Sequence, residues 1–253
     1  MMDERKSREK AFHDVEYEDD SRWLRVDKYY SIMGARTTYF DDIIAARCRG
    51  RSVLEYGCGA GKYSLKLASW GATVTAMDIS ETAIRRAREA ATAAGVTVDF
   101  RTMDAENLEF PDHSFDLICG IGILHHLDLD RSLPEVARTL KPDGVAIFME
   151  PLGHNPLINL YRRMTPELRT VDEHPLKLSD FDFARRYFRS VDVKAFHLMS
   201  LTAVPFRRFP FFPNLVRGLD RIDAFFFRRL QFSKRYAWFA VGIFSQPIAA
   251  PRR

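Results

Sequence analysis

Short apolar runs alternate with amphipathic segments through the middle of this chain. Runs typical of buried strands cover residues 52–56, 72–77, 97–102, 115–120 and 144–150. Between them, apolar positions repeat with helical spacing over 61–69, 80–94 and 131–140. Ser80 stands where a helix N-cap belongs, and Gly95 follows the end of the same helix. Strands that alternate with helices predict an α/β fold, a parallel sheet with helices on both faces.

The flanking segments extend this pattern. Tyr39, Ile43 and Ile44 share one side of a helix predicted ahead of the first strand. Four prolines interrupt the rhythm over 151–178. The remaining predicted elements are helices over 157–163 and 179–188 and strands over 191–196 and 236–244.

These boundaries predict the domain organisation. Residues 1–35 are expected to be an N-terminal extension, and its charge-rich first 22 residues predict a mobile end or a solvated helix. Residues 36–253 are predicted as one domain with insertions at 151–178 and 201–235. A length of 253 residues is enough to bury a substantial core.

Composition places the chain among globular proteins of a reducing compartment. It is 46% hydrophobic and 28% charged, which argues against disorder. Three cysteines lie scattered without metal-type spacing, so free thiols are expected. The first ten residues lack a secretory signal, and no run of about eighteen apolar residues exists. The sequence therefore predicts a cytoplasmic protein.

Positive charge is concentrated in one segment. The net charge is +4, and residues 201–235 hold eight Lys or Arg against Asp220 and Asp223, a net of +6. The rest of the chain is therefore close to neutral, at about −2. A globally basic nucleic-acid-binding protein is not expected to have this distribution.

The first strand ends in a glycine-rich loop. Three glycines stand at alternate positions after an apolar run, in the stretch Glu55-Tyr56-Gly57-Cys58-Gly59-Ala60-Gly61. Glycine lets the backbone turn sharply at the end of a strand and approach a ligand closely. Asp78 ends the next apolar run, 21 residues after Gly57, where a carboxylate would bind a ribose diol. The pattern predicts an adenosine-containing cofactor at the carboxyl ends of parallel strands.

The spacing also separates this loop from a dinucleotide site. Dinucleotide-binding loops read G-x-G-x-x-G and place a pyrophosphate at a helix N-terminus. Here the loop reads G-x-G-x-G, with Glu55 two residues ahead. A carboxylate there would repel a pyrophosphate but suits an ammonium group. S-adenosyl-L-methionine (SAM) carries an ammonium group and no phosphate.

Over about residues 36–150, the ordered motifs resemble those of the class I SAM-dependent methyltransferases. The resemblance is closest to the branch of the ubiquinone and menaquinone biosynthesis enzymes. It implies a Rossmann-like, seven-stranded, mostly parallel sheet whose last strand is antiparallel. The motifs that carry it, besides the glycine loop and Asp78, are Met103-Asp104-Ala105, Phe115-Asp116-Leu117-Ile118-Cys119, Leu124-His125-His126-Leu127 and Leu140-Lys141-Pro142-Asp143-Gly144.

The resemblance also implies cofactor contacts. The methionine end is assigned to Glu55 and the glycine loop, the ribose to Asp78, and the adenine to Ile79 and the Asp104 turn. Gly120 and Ile121 are expected to close on the ligand, and Trp23–Tyr30 to cover it. The cofactor-binding residues predicted in this way are Glu55, Gly57, Gly59, Gly61, Asp78, Ile79, Asp104, Ala105, Gly120 and Ile121.

Candidate acceptor-side residues follow the fourth and fifth strands. His125 and His126 are predicted next to the transferred methyl group, where an imidazole could deprotonate an attacking hydroxyl. The alternative is that one caps a helix and the other packs. Further candidates for substrate contact are Glu150, His154, Arg169 and His174. Asp172 and Glu173 alone do not make a convincing metal site, so none is predicted.

The segment 201–235 allows three interpretations. It contains eight phenylalanines, and Leu215, Leu219, Ile222, Phe226 and Leu230 line one predicted helix face. The opposite face holds Arg217, Asp220, Arg221, Arg228 and Gln231. The helix could cap the core or the substrate, contact a membrane surface, or form a dimer contact.

The sequence as a whole predicts methyl transfer to a small, amphipathic or lipid-like acceptor, with O-methylation favoured over C- or N-methylation. The alternatives are an RNA or protein methyltransferase and a SAM-binding protein without turnover. Gly120-Ile121-Gly122-Ile123 stands where an Asn-Pro-Pro-Tyr-like tetrapeptide for amino methylation would be expected.

Overall fold

The computed structural model describes residues 4–17, 31–165 and 172–248. Its helices are α1 (Glu4–Glu16), α2 (Gly34–Cys48), α3 (Lys62–Ser69), α4 (Glu81–Ala94), α5 (Leu129–Thr139), α6 (Pro156–Met164), α7 (Leu178–Phe183) and α8 (Phe212–Arg229). Its strands are β1 (Ser52–Tyr56), β2 (Thr73–Asp78), β3 (Asp99–Thr102), β4 (Phe115–Ile121), β5 (Leu140–Pro151), β6 (Phe188–Phe196) and β7 (Phe239–Pro247).

In this described part of the chain the strands form one seven-stranded sheet. Their order is β3-β2-β1-β4-β5-β7-β6. Strands β1 to β5 pair in parallel, and β7 runs antiparallel between β5 and β6. The predicted α/β class, with its Rossmann-like, mostly parallel sheet and last antiparallel strand, is confirmed.

The core has a layer on each face of the sheet because neighbouring strand residues point to opposite sides. Ile118 and Phe148 belong to one apolar cluster, and the adjacent Leu117 and Ile147 belong to the other. Strands buried on both faces read as continuous apolar runs, which is the pattern in the sequence.

Local signals locate the ends of α4. The Ser80 hydroxyl accepts a hydrogen bond from the Ala83 N–H at 3.0 Å, and Gly95 ends the helix with φ 64°. Two strands begin earlier than predicted because their first residues pair with neighbouring strands. Strand β5 begins at Leu140, which pairs with Phe115, and β6 begins at Phe188, which pairs with Pro247. The helix predicted over 179–188 therefore ends early.

The predicted mobile or solvated end is wrong for α1. This helix packs against the domain, and the side chains of Lys6 and Glu9 are buried. Lys6 lies against Asp104 and Glu106, and Glu9 lies 3.1 Å from the His126 ring, at the carboxyl ends of the parallel strands. Trp23–Tyr30, which were expected to cover the cofactor, lie outside the described residues, as does Arg169.

The connection between β6 and β7 lies at the same edge of the sheet as the glycine loop. Its two ends meet where Phe196 pairs with Phe239, and Phe239 also pairs with Pro151 at the carboxyl end of β5. Helix α8 occupies the middle of this connection. Among the described residues, no helix has both the length and the apolar character needed to cross a bilayer.

Helix α8 is rotated relative to the predicted apolar face. Its buried residues are Phe212, Val216, Asp223 and Phe227. Ile222, which was predicted on the apolar face, is 45% exposed. The rotation occurs because Asp223 turns inward to accept backbone N–H groups, a contact that helical periodicity alone does not indicate.

Candidate active site

A cavity lies between α1 and the carboxyl ends of β1, β2 and β4. It brings together most of the predicted cofactor motifs and several residues of α1 that sequence reasoning missed. Its lining residues are Arg5, Lys6, Glu9, His13, Tyr17, Gly57, Met77, Asp78, Ile79, Asp104, Ala105, Glu106, Ile121, Gly122, Ile123, His126 and Leu127.

The backbone of the glycine loop forms one wall. Gly57 has φ +74°, and a Cβ there would lie 2.8 Å from the side chain of Ile123. The Gly57 and Cys58 N–H groups both donate to the Met77 carbonyl at 2.9 Å, which ties the loop to β2. Only glycine combines this left-handed conformation with the absence of a clashing side chain.

The other two glycines of the motif lie outside the lining. Gly59 sits beneath the Tyr17 ring, and Gly61 precedes α3 and packs against Ala87. Their part in the motif is to shape the turn between β1 and α3.

Asp78 and Ile79 form the neighbouring wall. The Asp78 carboxylate accepts the Gly59 N–H and the Ser80 N–H, both at 2.9 Å. Burial raises the pKa of this carboxyl, and the hydrogen bonds oppose that shift. The two bonds fix the carboxylate at the end of β2 with the cavity in front of it.

Glu55 is not brought into the cavity lining. Its side chain is buried, and the Ser64 hydroxyl donates to it from α3. Burial, reinforced by the nearby Asp78, raises the pKa of Glu55 to about 8. Its direct contact with an ammonium group therefore stays a prediction.

Asp104 and Ala105 line the opposite side. One Asp104 oxygen accepts the Glu106 N–H at 2.8 Å, and the other lies 2.6 Å from the Lys6 Nζ. The Tyr56 hydroxyl donates to the Ala105 carbonyl and anchors the turn to β1.

Basic residues of α1 neutralise the acids beneath it. Lys6 Nζ lies 2.9 Å from a Glu106 oxygen, and Arg5 donates to the other Glu106 oxygen. Burial opposes ionisation of Glu106, but hydrogen bonds from Lys6, the Asp128 N–H and Arg5 hold its pKa below the usual range. Arg5 also donates to the His126 carbonyl at 2.6 Å.

The signal for α1 is present in the sequence as a four-residue spacing. Arg5, Glu9, His13 and Tyr17 follow one another at this interval and all face the cavity. Such a spacing puts these side chains along one face of a helix, but it does not by itself distinguish a solvated face from one that covers a site.

His125 and Glu150 form a buried pair behind the cavity. Glu150 accepts the Ile123 and Leu124 N–H groups, each at 2.9 Å, and its other oxygen lies 2.8 Å from His125 Nδ1. Burial raises the pKa of Glu150 to about 7 and lowers the pKa of His125 well below its usual value. Neither residue lines the cavity, so the predicted substrate contact of Glu150 is not supported.

His126 is the histidine that faces the cavity. Its Nδ1 lies 3.1 Å from a Glu9 carboxylate oxygen, and its ring meets the His13 ring edge-on at 5.2 Å. The two adjacent histidines therefore have different surroundings: His125 joins the core, and His126 joins the cavity.

The remaining predicted residues are dispersed. Gly120 is buried, whereas Ile121 lines the cavity and is 40% exposed. His154 is half-buried before α6. His174 is exposed and donates its backbone N–H to the His125 carbonyl at 3.1 Å, beside a shallow groove rather than in the cavity.

The fold also gathers acidic and histidine side chains that the sequence leaves far apart. Among the described residues, ligand atoms of Glu9, His13 and His126 lie within 4.8 Å of one another, as do those of His125, His126 and Glu173. Sequence spacing alone did not indicate either group.

Comparisons with known proteins find relatives of the part of the chain that holds the parallel strands. The family model described as "Methyltransferase domain" matches residues 54–148. A ubiquinone biosynthesis O-methyltransferase from Rhizobium leguminosarum is 37% identical over 97 residues, covering 38% of each chain. One from Pseudomonas paraeruginosa is 31% identical over 144 residues, covering 55% of this chain and 61% of the relative. The chain thus spans about 38 to 61% of the length of these curated relatives.

A solved methyltransferase structure is also similar to this chain. A SAM-dependent methyltransferase from Methanosarcina mazei is 29% identical, with a TM-score of 0.51, and the match covers 60% of this chain and 88% of that one. This chain carries a class I SAM-dependent methyltransferase domain. The predicted family and its cofactor, SAM, are thereby confirmed.

The methyltransferase domain supplies one side of the cavity, and α1 supplies the other. Gly57, Asp78, Asp104 and His126 all fall inside the matched residues 54–148. Helix α1 and the phenylalanine-rich connection fall outside them. The match therefore includes the predicted cofactor residues that line the cavity and excludes the α1 residues that face them.

Proposed function

We propose that this chain methylates a hydroxyl group of a small, amphipathic or lipid-like acceptor, with SAM as the methyl donor. The proposal is carried by the single cavity that joins Gly57, Asp78 and Asp104 of the cofactor motifs to His126. O-methylation is favoured over C- or N-methylation because both relatives are named ubiquinone biosynthesis O-methyltransferases.

The cavity suits this cofactor. A Cβ on Gly57 would lie 2.8 Å from the Ile123 side chain, so only glycine lets the backbone at the end of β1 line the cavity. The Asp78 carboxylate would accept the ribose hydroxyls, and Asp104 would accept the adenine amino group. Ile79 and Ala105 would pack against the adenine. When bound, SAM supplies a methyl group activated by its sulfonium.

His126 is the candidate general base. With its proton on Nδ1, which faces the Glu9 carboxylate at 3.1 Å, the ring would have the Nε2 lone pair left to accept the proton of the acceptor hydroxyl. His125 is less suited to this role because it is buried against Glu150.

Glu150 and His125 are proposed to position the turn that carries His126. Glu150 holds the N–H groups of Ile123 and Leu124 as well as the His125 ring. A carboxylate at the end of β5 thereby orients three consecutive residues next to the base. Such support limits the freedom of the base and keeps it within reach of its proton.

Helix α1 is proposed to be the roof of the site. Its residues Arg5, Lys6 and Glu9 contact the floor directly, so α1 excludes water from the cavity. The Lys6 ammonium group contacts the Asp104 carboxylate, which is proposed to bind the adenine amino group. Loading of the cofactor would therefore require α1 to shift and Lys6 to release Asp104.

The test is release of S-adenosylhomocysteine with phenolic acceptors that differ only in the length of an apolar tail. We expect turnover with phenols, greater turnover with longer tails, and loss of turnover in acceptors whose hydroxyl is already methylated. Release only with RNA or protein would support the alternative methyltransferase class. SAM binding without release for any acceptor would support a non-catalytic binding protein.

A further inference from the structure

The connection between β6 and β7 presents basic and aromatic side chains on one outer surface. This connection, residues 197–238, begins and ends at the carboxyl edge of the parallel strands, the edge that also holds the candidate active site. It lies outside the residues matched by the methyltransferase family model. The family match therefore does not explain why its basic and aromatic side chains are exposed.

The fold turns both acids of the segment 201–235 inward. Asp223 is 3% exposed and accepts the N–H groups of Leu198, Met199 and Ser200 at 2.9, 2.7 and 3.2 Å. Asp220 approaches His197, with 3.8 Å between its carboxylate and Nδ1. Neither acid is fully exposed to offset positive charge on the outer surface.

The basic residues of the segment point the other way. Seven arginines are exposed, and no acid accompanies them in 201–235 on the outer face. These arginines are Arg207, Arg208, Arg217, Arg221, Arg228, Arg229 and Arg235. The segment's excess charge is thus displayed to solvent rather than neutralised within the fold.

Phenylalanines lie among these arginines instead of joining the core. Phe206, Phe209 and Phe211 are 44 to 53% exposed. Their rings contact one another, and the Phe209 and Phe211 rings stack with centroids 5.3 Å apart. Arg207 and Arg208 lie within this cluster in sequence. An exposed cluster of large apolar rings in water is unfavourable unless another surface covers it.

Helix α8 continues the same arrangement. Phe225 is 51% exposed and lies opposite the buried line of Val216, Asp223 and Phe227. Arg221 and Arg228 flank it at helical spacings of four and three residues. A ring flanked by arginines on the outer face is the arrangement of an interfacial helix.

Helix α6 adds apolar residues at the edge of this surface. The Asn155 side chain caps α6 and donates to the Tyr236 carbonyl at 2.6 Å, which ties the helix to the end of the connection. Leu157, Leu160 and Met164 of α6 are 57 to 72% exposed.

We propose that residues 205–232 dock this protein on an anionic membrane surface. The exposed phenylalanines would enter the boundary between headgroups and acyl chains, and the arginines would contact acidic headgroups. A second copy of the chain fits poorly, because a two-fold contact would set these arginines against their own copies, without exposed acids between them.

This docking goes beyond the proposed methyl transfer and does not depend on it. Because the surface shares the carboxyl edge of the sheet with the cavity, docking would hold the active site close to the membrane. A lipid-like acceptor would then reach the site without crossing bulk water.

The experiment is flotation of the full chain with phosphatidylcholine vesicles, with and without phosphatidylglycerol, at low and high salt. We expect flotation that requires phosphatidylglycerol and weakens with salt. Replacing Phe206, Phe209 and Phe211 together by Ser should weaken binding by about tenfold or more. The double variant Arg207→Gln/Arg208→Gln should lose about as much.

The matched control is Arg49→Gln/Arg189→Gln, which removes two exposed arginines from the opposite edge of the sheet. It should float like the unaltered protein. Circular dichroism checks that every variant folds, and flotation measures binding without any turnover. Failure of the methyltransferase assay would therefore leave this result unaffected.

Three outcomes would overturn the proposal. The first is the absence of flotation with anionic vesicles. The second is a dimer, detected by light scattering, that the phenylalanine variant abolishes. The third is salt-sensitive binding of single-stranded RNA that the same variants abolish while flotation stays unchanged.

Discussion

The ammonium group of Lys6 lies 2.6 Å from the carboxylate of Asp104, 98 residues away along the chain. Lys6 comes from the helix that roofs the site, and Asp104 from the turn assigned to adenine. The same side chain also reaches Glu106 at 2.9 Å. Lys6 thus joins helix α1 to the opposite wall of the cavity. It occupies the Asp104 carboxylate, which is proposed to accept the adenine amino group of SAM.

Replacing Lys6 with Met should accelerate the association of SAM, because Asp104 is released and α1 loses an anchor. We expect a gain of about threefold to tenfold in the association rate, measured by surface plasmon resonance. Lys10→Met is the control: Lys10 lies on the same helix and contacts Asp14 and, at 3.7 Å, Glu81 of α4, so its loss also weakens α1 but leaves Asp104 paired with Lys6. An association rate that Lys6→Met leaves unchanged would mean that α1 does not limit entry.

Asp78→Ala should weaken SAM binding by roughly 1–3 kcal/mol, because the ribose hydroxyls lose a charged acceptor. Calorimetry measures the change. Asp99→Ala provides the control, since this acid lies on β3 and pairs with Arg101. Unaltered affinity would remove Asp78 from the site, and tighter binding of NAD than of SAM would contradict the assigned cofactor.

Gly57→Ala should abolish most SAM binding because its Cβ would enter the cavity wall beside Ile123. The left-handed backbone adds roughly 1–2 kcal/mol of strain. Gly95→Ala carries similar strain, with φ +64°, but meets no atom within 4 Å and lies at the end of α4. The control should lose stability in thermal melts and still bind SAM normally.

The two adjacent histidines should respond differently to the same substitution. His126→Asn should lower kcat by roughly 10²–10⁴-fold with little effect on SAM affinity, because the general base is lost. His125→Asn should lower thermal stability and reduce kcat less than His126→Asn does, because it removes a buried partner of Glu150 that positions the turn but not the base itself. Equal turnover of His126→Asn and the unaltered protein would mean that no base is needed or that it lies elsewhere.

Glu55 should make stability depend on pH. Burial raises its pKa from 4.5 to about 8, so the folded state favours the protonated carboxyl. This contribution to stability is fully present below the unfolded pKa and is lost as pH rises through the folded pKa. Between about pH 5 and about pH 8, the unaltered protein should lose stability relative to Glu55→Gln.

Thermal melts of both proteins across this range provide the measurement, with Glu81→Gln as the control. Glu81 is 72% exposed at its side chain, so its replacement should leave the pH profile unchanged. A constant difference in stability between Glu55→Gln and the unaltered protein at all pH values would contradict the raised pKa.

The architecture could be predicted from the sequence alone, and so could the grouping of Gly57 with Asp78 at one cavity. Alternating apolar runs predicted the parallel strands, because a strand buried on both faces needs a continuous apolar run. Ser80 and Gly95 marked the ends of a helix through local hydrogen bonding and backbone conformation. Gly57 and Asp78 marked the cofactor cavity because both follow strands that meet at one edge of a parallel sheet.

Which side chains meet around that cavity depends on how distant segments pack against one another. Arg5 reaches the carbonyl of His126 across 121 residues, and Glu150 reaches His125 across 25. Asp223 turned inward because backbone N–H groups of residues 198–200 lay nearby and needed acceptors. Such contacts depend on where distant segments pack, whereas periodicity, capping and turn signals act within a few residues of one another.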